Sequence, residues 1–273
     1  MTTVWVNGEL RGPDEPAVSA LDHGLMVGDG VFETLKVVDG VPFALTRHLR
    51  RLRSSALGLG LPAPDPDAVR TACAAAIAAH PRGDLLRLRI TYTSGAGPLG
   101  SDRGDARPTL TVAVAAGTQW PPGAAVAVAP WPRNERGPLV GLKTTSYAEN
   151  VVALAWAKQR DADEALLLTT TGELCEGTGS NVFVVVDDQV LTPRLESGCL
   201  AGITRDLVLE WSDATQARLD GDVLSAASEV FLTSSTRDVQ PVTLVDGRPI
   251  PAGQRTRAIQ ATFADRSRAD LDP

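Results

Sequence analysis

The apolar and polar residues of the chain follow two alternating periods, which predicts interleaved strands and helices. Asn-Gly and Asp-Gly pairs at 7–8 and 39–40 divide short alternating runs and predict tight hairpin turns. Apolar residues three or four positions apart predict helices over 46–59 and 67–79. Further strands are predicted at 85–92, 109–114, 125–129, 164–169 and 229–233, with a hairpin around 187–188 and helices at 148–160 and 204–211. This mixture is typical of the α+β class.

One segment between these elements is predicted to be a linker. Residues 117–123 are rich in Gly and Pro and show no periodicity. They divide the chain into a small α+β domain at 1–116 and a larger α+β domain at 124–273. Because both sides of the linker carry strands and helices, we expect the functional site at the domain interface.

The composition restricts the classes of partner. The chain has 273 residues, 43% of them hydrophobic and 22% charged, as in ordinary globular proteins. A net charge of −7 and the absence of a basic tract argue against a nucleic-acid partner. No apolar stretch is long enough to suggest a membrane span, and the first residues do not resemble a signal peptide. The three cysteines form no CxxC pair, so we expect reduced thiols and a cytoplasmic protein.

Three common site motifs are weak or absent. Gly95–Gly100 satisfies G-x-G-x-x-G, but a polar loop and another predicted strand follow it, so no helix N-terminus is available for a pyrophosphate. A mobile loop near a substrate entrance is the preferred interpretation. No G-x-S-x-G run occurs, which argues against a serine nucleophile. The histidines at 23, 48 and 80 are far apart, so no metal site is predicted.

Lysine is rare in this chain and each one can be considered individually. Of 26 basic side chains only Lys36, Lys143 and Lys158 are lysines. Lys36 lies in an alternating strand pattern and Lys158 on the polar side of a helical run, where solvated charges are ordinary. Lys143 lies among Gly, Leu and small hydroxyl residues, with no carboxylate before Glu149. An arginine could replace a surface lysine but not a nucleophilic amine, so Lys143 is a candidate reactive amine, with a plain loop lysine as the alternative.

A lysine that forms a Schiff base with pyridoxal phosphate needs other groups around it. It needs a carboxylate for the pyridine nitrogen, an anion pocket for the phosphate, small residues beside the ring, and room for a substrate. Glu176 in a Gly-flanked turn is the candidate carboxylate. The anion pocket has three candidates: the helix start at 202–204, the hydroxyl run at 234–236, and Arg51 in the first long helix.

Six ordered motifs, taken together, resemble the class IV aminotransferase superfamily, the fold-type IV pyridoxal-phosphate enzymes. That superfamily includes branched-chain and D-amino-acid aminotransferases and 4-amino-4-deoxychorismate lyase. The resemblance extends over nearly the whole chain and implies a two-domain architecture like that of D-amino-acid aminotransferase. The motifs lie at 22–33, 48–52, 141–147, 175–183, 202–205 and 229–235.

The resemblance implies a role for each matching residue. Lys143 resembles the Schiff-base lysine and acid–base group, and Glu176 the partner of the pyridine nitrogen. Arg51 resembles the arginine that binds the cofactor phosphate, although Arg50 and Arg53 beside it are alternatives. The remaining cofactor-binding residues by resemblance are Ile203, Thr204 and Ser235, and Tyr147 could approach the 3′-oxygen of the cofactor.

The same core machinery serves both a lyase and an aminotransferase, so only peripheral residues can separate them. Phe32-Glu33-Thr34 resembles a run in the lyases, whose threonine faces the substrate, and the Gly-rich loop that begins at Tyr92 is also lyase-like. We therefore expect an aminodeoxychorismate lyase of folate biosynthesis, with Thr34 and Tyr92 as substrate residues. An aminotransferase for D-amino or branched-chain amino acids is the alternative. A substrate-binding arginine is expected in the loop, where Arg103 and Arg107 lie. The resemblance also implies a homodimer.

Overall fold

The computed structural model describes all 273 residues, which form fifteen strands and seven helices. The strands are β1 (Thr2–Val6), β2 (Glu9–Arg11), β3 (Gly30–Val38), β4 (Val41–Pro42), β5 (Leu85–Thr93), β6 (Thr109–Ala116), β7 (Ala124–Val128), β8 (Glu164–Leu168), β9 (Leu174–Gly177), β10 (Asn181–Val186), β11 (Gln189–Pro193), β12 (Thr215–Ala217), β13 (Glu229–Ser234), β14 (Asp238–Val245) and β15 (Arg248–Pro249). The helices are α1 (His23–Met26), α2 (Leu45–Gly58), α3 (Pro66–Ala79), α4 (Ala148–Lys158), α5 (Ile203–Trp211), α6 (Val223–Ala226) and α7 (Gln254–Ala269). The fold is α+β, as predicted.

The chain divides into two compact units. The first comprises Met1–Thr118, Leu142–Tyr147 and Leu271–Pro273, and the second comprises Gln119–Gly141 and Ala148–Asp270. The predicted domains, 1–116 and 124–273, placed Lys143 in the second domain. In the structure the Lys143 segment belongs to the first unit, because its backbone bonds to the start of β3.

The first unit is built on a six-stranded sheet with the order β2-β1-β6-β5-β3-β4. Its longest pairings are β3 with β5 and β5 with β6, all antiparallel. One face of β3 and β5 carries apolar side chains such as Leu35 and Leu88, which pack in a core with residues of α2 and α3. On the other face, Phe32 and Thr34 of β3 lie beside Arg89 and Thr91 of β5. The side chains on this second face include candidate site residues.

The second unit contains a nine-stranded mixed sheet with the order β12-β11-β10-β13-β14-β7-β8-β9, and β15 pairs with β14. Its central strands β10 and β13 are almost fully buried, and the rings of Phe183 and Phe231 stack at 4.7 Å between centroids. Helix α4 covers β7 and β8 through alanines, and α5 and α7 pack against each other through Trp211 and Phe263.

Most predicted elements are confirmed, but several were missed or misplaced. Glu176, predicted in a turn, lies in strand β9, because its backbone pairs with Leu167 of β8 across an irregular register. Strand β14 and the sixteen-residue helix α7 were not predicted. Helix α7 has a weak apolar stripe in which only Ile259, Phe263 and two small polar residues are buried. The apolar pattern of this segment is therefore too weak to predict a helix.

No helix follows the Gly95 loop. Strand β5 is followed by irregular chain and then by β6, with no helix between them. A side chain at Gly95 would place a Cβ 1.7 Å from the carbonyl oxygen of Arg107, and its φ is +90°, so glycine is required by close backbone packing. None of the helices has the length and apolar character needed to cross a membrane.

Candidate active site

The Lys143 segment is bound to the framework of the first unit. The carbonyl oxygen of Lys143 accepts a hydrogen bond from Phe32 N at 3.0 Å, and its N–H donates to Ser55 Oγ of α2 at 3.1 Å. One residue later, Thr144 forms a β-bridge with Val31, and Thr145 N donates to the Gly30 carbonyl oxygen. These backbone contacts order a segment that has no regular secondary structure.

The Lys143 side chain lies against aromatic rings. Its Nζ atom is 4.3 Å from the centroid of Phe32 and 5.9 Å from that of Tyr147. The two rings meet edge to face, with centroids 5.3 Å apart and an interplanar angle of 83°. Contact with ring faces partly desolvates the amine and helps to orient it. The Lys158 amine lies beside the exposed carboxylate of Asp163, as expected for a solvated charge.

Arg89 is a second cation on the same ring. Its guanidinium carbon lies 3.8 Å from the Phe32 centroid, and its Nε donates to Thr91 Oγ1 at 3.3 Å. Burial lowers the pKa of the Arg89 guanidinium, and the nearby Tyr147 partly opposes that shift. No carboxylate of the chain forms an ion pair with Arg89. The Arg89 guanidinium could therefore bind an anionic group that is not part of the chain.

Arg51, predicted to bind the cofactor phosphate, is held by a buried carboxylate. Its Nε and Nη2 atoms donate to the two oxygens of Glu33 at 2.8 and 2.7 Å. His48, one turn earlier on α2, bonds to Glu33 through Nδ1 at 2.6 Å. Of the three neighbouring arginines, Arg51 is the one that points towards the sheet, whereas Arg50 and Arg53 are exposed.

The second unit carries the predicted partner of the pyridine nitrogen. Glu176 is buried on β9, its Oε2 accepts a hydrogen bond from Leu200 N at 2.9 Å, and its Oε1 lies 3.4 Å from the Arg133 guanidinium. Both contacts suit an ionised carboxylate. The backbone of the 198–202 loop thus holds Glu176 beside the start of α5.

The start of α5 has no side-chain cap, a feature that suits the binding of an anion. Its N-cap residue, Gly202, provides no side-chain hydrogen bond to the first turn, so the amides of Ile203 and Thr204 are not capped in the usual way. A Cβ at Gly202 would lie 1.9 Å from Asn181 Oδ1, so only glycine fits there. Asn181 also donates to the Leu200 carbonyl oxygen and pairs with Thr233 on β13.

Ser235 is the remaining predicted cofactor-binding residue of the second unit. Ser235 lies half-buried in the turn that follows β13, one strand away from Asn181. The structure therefore brings Glu176, the start of α5 and the Ser235 turn to neighbouring strands and loops of the second unit.

The two predicted substrate residues have different positions. Thr34 is half-buried on the face of β3 that carries Phe32, directly opposite Arg89. Tyr92 is 8% exposed and belongs to the hydrophobic core on the other face of β5. This placement gives no support to a substrate contact for Tyr92, because successive residues of a strand point to opposite faces.

Of the two loop arginines named for the substrate, Arg103 is occupied by structural contacts. Arg103 binds both carboxylate oxygens of Asp29, at 2.7 and 2.6 Å, and also donates to the carbonyl oxygens of Leu59 and Gly60. It joins the loop to the end of α2 instead of presenting its charge to a substrate.

Sequence reasoning did not single out Arg89, Asn181 or the Glu33–His48 pair as candidate site residues. A signal for Arg89 existed, because the alternation of β5 places Arg89 and Arg87 on one face and apolar residues on the other. No comparable signal existed for Asn181, whose role depends on the packing of Gly202.

Comparison with known proteins shows the family to which the chain belongs. Residues 30–245 match the family described as Amino-transferase class IV. The chain is 32% identical to a putative branched-chain-amino-acid aminotransferase of Methanocaldococcus jannaschii, over 96% of this chain and 95% of the relative. It is 30% identical to the D-alanine aminotransferase of Bacillus licheniformis, over 92% and 90% of the two chains. The PLP-bound structure of a hypothetical aminotransferase from Mycobacterium tuberculosis superimposes with a TM-score of 0.86 at 27% identity, covering 97% of this chain and 98% of that one. The chain therefore belongs to the class IV aminotransferase family, whose cofactor is pyridoxal 5′-phosphate (PLP).

Proposed function

We propose that the protein is an aminotransferase that moves an amino group between an amino acid and a 2-oxo acid, with branched-chain or D-amino acids as donors. The two relatives named above, each matched over at least 90% of its length, are a putative branched-chain-amino-acid aminotransferase and a D-alanine aminotransferase. They support the aminotransferase alternative over the aminodeoxychorismate lyase that the sequence favoured. The structural observation that carries the proposal is the Phe32 ring, against which both the Lys143 amine and the Arg89 guanidinium lie.

The residues of the candidate site suit PLP. Glu176 supplies a buried carboxylate, and the start of α5 supplies backbone amides without a side-chain cap, beside a glycine that a larger residue could not replace. We assign the phosphate to Ile203, Thr204, Ser235 and Arg51, the pyridine nitrogen to Glu176, and the 3′-oxygen to Tyr147. When bound, PLP supplies an aldehyde that condenses with amines and a ring that accepts the electrons of a broken Cα–H bond.

The chain's own groups would orient the substrate and move its proton. Arg89 would bind the carboxylate of an amino acid, because an arginine fork matches a carboxylate and this arginine has no carboxylate partner in the chain. The Lys143 amine, on the same ring, would take the proton from the Cα atom of the amino acid and hold it for return. The Phe32 and Tyr147 rings would exclude water from the amine. Thr34, opposite Arg89, would border the space for the substrate side chain.

The test combines a spectrum with two assays. Purified protein should show a visible absorbance band of bound PLP that is absent in Lys143→Ala, and it should transfer the amino group of leucine or D-alanine to 2-oxoglutarate. Lys143→Arg is the matched control, since it keeps the charge but lacks a nucleophilic amine. In a parallel assay, chorismate, glutamine and the partner synthase are supplied, and 4-aminobenzoate is measured.

The two assays separate the candidate functions. Amino transfer without 4-aminobenzoate supports the proposal. Production of 4-aminobenzoate without amino transfer would instead favour the lyase, to which the Phe32-Glu33-Thr34 run points. A colourless protein that cannot be reconstituted with PLP contradicts both.

We also propose a homodimer, on the resemblance to this family. Light scattering coupled to size-exclusion chromatography measures the molar mass directly. A mass of one chain at micromolar concentration would contradict it.

A further inference from the structure

Glu33 places a carboxylate on the core-facing side of strand β3. Its neighbours on that side, Val31 and Leu35, are fully buried, and Glu33 itself is 0% exposed. Removing a carboxylate from water costs several kcal/mol unless strong partners compensate, and an apolar residue of similar size is often a neutral replacement. Packing alone therefore does not explain why an ionised group lies at this position.

The partners of Glu33 are all hydrogen-bond donors. Arg51 binds it with two parallel hydrogen bonds, and His48 Nδ1 approaches one of the same oxygens at 2.6 Å. Although burial alone would raise it, the Arg51 charge brings the pKa of Glu33 down to about 2. Burial lowers the pKa of His48 in spite of the nearby Glu33 charge. Since an ionised carboxylate only accepts, a neutral His48 must carry its proton on Nδ1.

This geometry fixes the orientation of a guanidinium. A bidentate pair uses Nε and Nη2 of Arg51 and holds the planar group in the plane of the carboxylate. The direction of the third nitrogen, Nη1, is then set by Glu33. His48 in turn prevents Glu33 from rotating, because it occupies a third bonding position on the carboxylate.

We propose that Glu33, held by His48, is a positioning residue that aims Arg51 at the phosphate of the cofactor. The inference rests on the proposed assignment of Arg51 to that phosphate. Orientation and charge predict opposite effects of removing the Glu33 carboxylate on phosphate binding. Glu33 is an anion close to an anion-binding arginine, so removing its charge should tighten phosphate binding if charge alone mattered. If orientation matters more, removing the charge should weaken binding.

A double-mutant cycle on PLP affinity tests the idea. The dissociation constants of PLP and of pyridoxal, which lacks the phosphate, are measured on apoprotein of the parent chain, Glu33→Gln, Arg51→Lys and the double variant. We expect Glu33→Gln to weaken PLP binding by about tenfold or more and to change pyridoxal binding by less than about twofold, the size expected for a lost charged hydrogen bond. Because lysine has no fork to orient, the double variant should bind PLP no more weakly than Arg51→Lys.

A matched control addresses general destabilisation of α2. Helix α2 begins at Leu45 without a side-chain cap of its own, and Asp272 supplies one by accepting hydrogen bonds from the N–H and hydroxyl of Thr46 at 2.7 and 2.5 Å. Asp272→Asn weakens this helix start but leaves the Glu33–Arg51 pair intact. It should lower the midpoint of thermal unfolding without changing the ratio of PLP to pyridoxal affinity.

The outcomes separate the inference from the function on which it rests. If Arg51→Lys leaves PLP affinity unchanged, the phosphate assignment of Arg51 is wrong. If Arg51→Lys weakens PLP binding while Glu33→Gln leaves it unchanged or tightens it, the positioning role alone is wrong. Should Glu33→Gln fail to fold, His48→Gln provides the same test, since it removes the group that holds Glu33 and leaves the charge pair in place.

Discussion

The guanidinium of Arg89 stacks on the ring of Phe32, with its central carbon 3.8 Å from the ring centroid. The pairing of β3 with β5 sets this contact, because it places Phe32 opposite Thr91 and Arg89 opposite Thr34 on one face of the sheet. The Lys143 amine lies 4.3 Å from the same centroid. One aromatic ring therefore contacts both the Lys143 amine and the Arg89 guanidinium.

Replacing Arg89 should impair the reaction of amino-acid donors but not that of amines that lack a carboxylate. Arg89→Gln should raise KM for the amino-acid donor about 10- to 100-fold, since a charged hydrogen bond contributes about 1.5–3 kcal/mol. The rate with an amine that lacks a carboxylate should change by less than about threefold. Steady-state kinetics with both donor classes measure the difference.

The control for Arg89 is another stacked arginine. Arg160 lies over the Trp156 ring at 4.1 Å on the second unit, so Arg160→Gln removes a similar cation–π contact away from the site. It should leave both KM values unchanged. Equal loss of both donor classes in Arg89→Gln would show that Arg89 supports the sheet and does not recognise a carboxylate.

A side chain at Gly202 should disturb the start of α5. Gly202→Ala brings a Cβ against Asn181 Oδ1, so either Asn181 or the helix start must move. We expect a loss of about 1–3 kcal/mol in the free energy of unfolding, typical of overpacking, together with weaker PLP binding. Denaturant titration and PLP titration of the apoprotein measure the two effects.

The control for Gly202→Ala is the same substitution at Gly179. A Cβ there would meet only Glu164 Oε2, at 3.9 Å, so Gly179→Ala should be tolerated. If Gly202→Ala binds PLP as tightly as Gly179→Ala does, the α5 start does not contribute to the phosphate site.

The Glu33 and His48 pair should make stability fall in acid in two stages. The pKa of His48 is lowered from 6.5 by burial, so the unfolded chain binds the extra proton and stability decreases as pH falls below 6.5. The pKa of Glu33 falls from 4.5 to about 2 against the effect of burial, because of Arg51, so about 3 kcal/mol of stability present above pH 4.5 is lost as pH falls towards 2.

Urea unfolding followed by circular dichroism between pH 7.5 and 3 measures this dependence. Glu33→Gln should flatten the part of the curve below pH 4.5 relative to the parent chain. Parallel curves for the two proteins below that pH would contradict the assignment of the lowered pKa to Glu33.

All three cysteines should be inert in the folded protein. Cys73, Cys175 and Cys199 are free and buried, and burial raises the pKa of Cys73 to about 12 and also raises the pKa values of the other two. At pH 8 a thiol reagent should react with none of them until the chain unfolds, because the thiolate is the reactive form. Rapid labelling of the native protein at any of the three would disprove this.

The sequence by itself determined much of this protein. The Asn-Gly and Asp-Gly hairpins, helices α2 to α5 and most of the strands follow local rules of period and turn chemistry, and the six motifs identified the family. Lys143 stood out because lysine is scarce in a chain rich in arginine. These features depend on residue type and spacing, which are readable without coordinates.

Only the tertiary structure decided which unit contains Lys143 and which arginines are free of carboxylate partners. A substrate arginine was expected in the loop that carries Arg103 and Arg107. Arg103 is bound to Asp29, whereas Arg89 lies on the Phe32 ring with no carboxylate beside it. Arg51 is distinguished from Arg50 and Arg53 by its contact with Glu33, eighteen residues away in sequence. Such contacts depend on strand register and on which side chains meet across the fold. Local pattern carries no information about either, because both are set by the packing of segments that lie far apart in the chain.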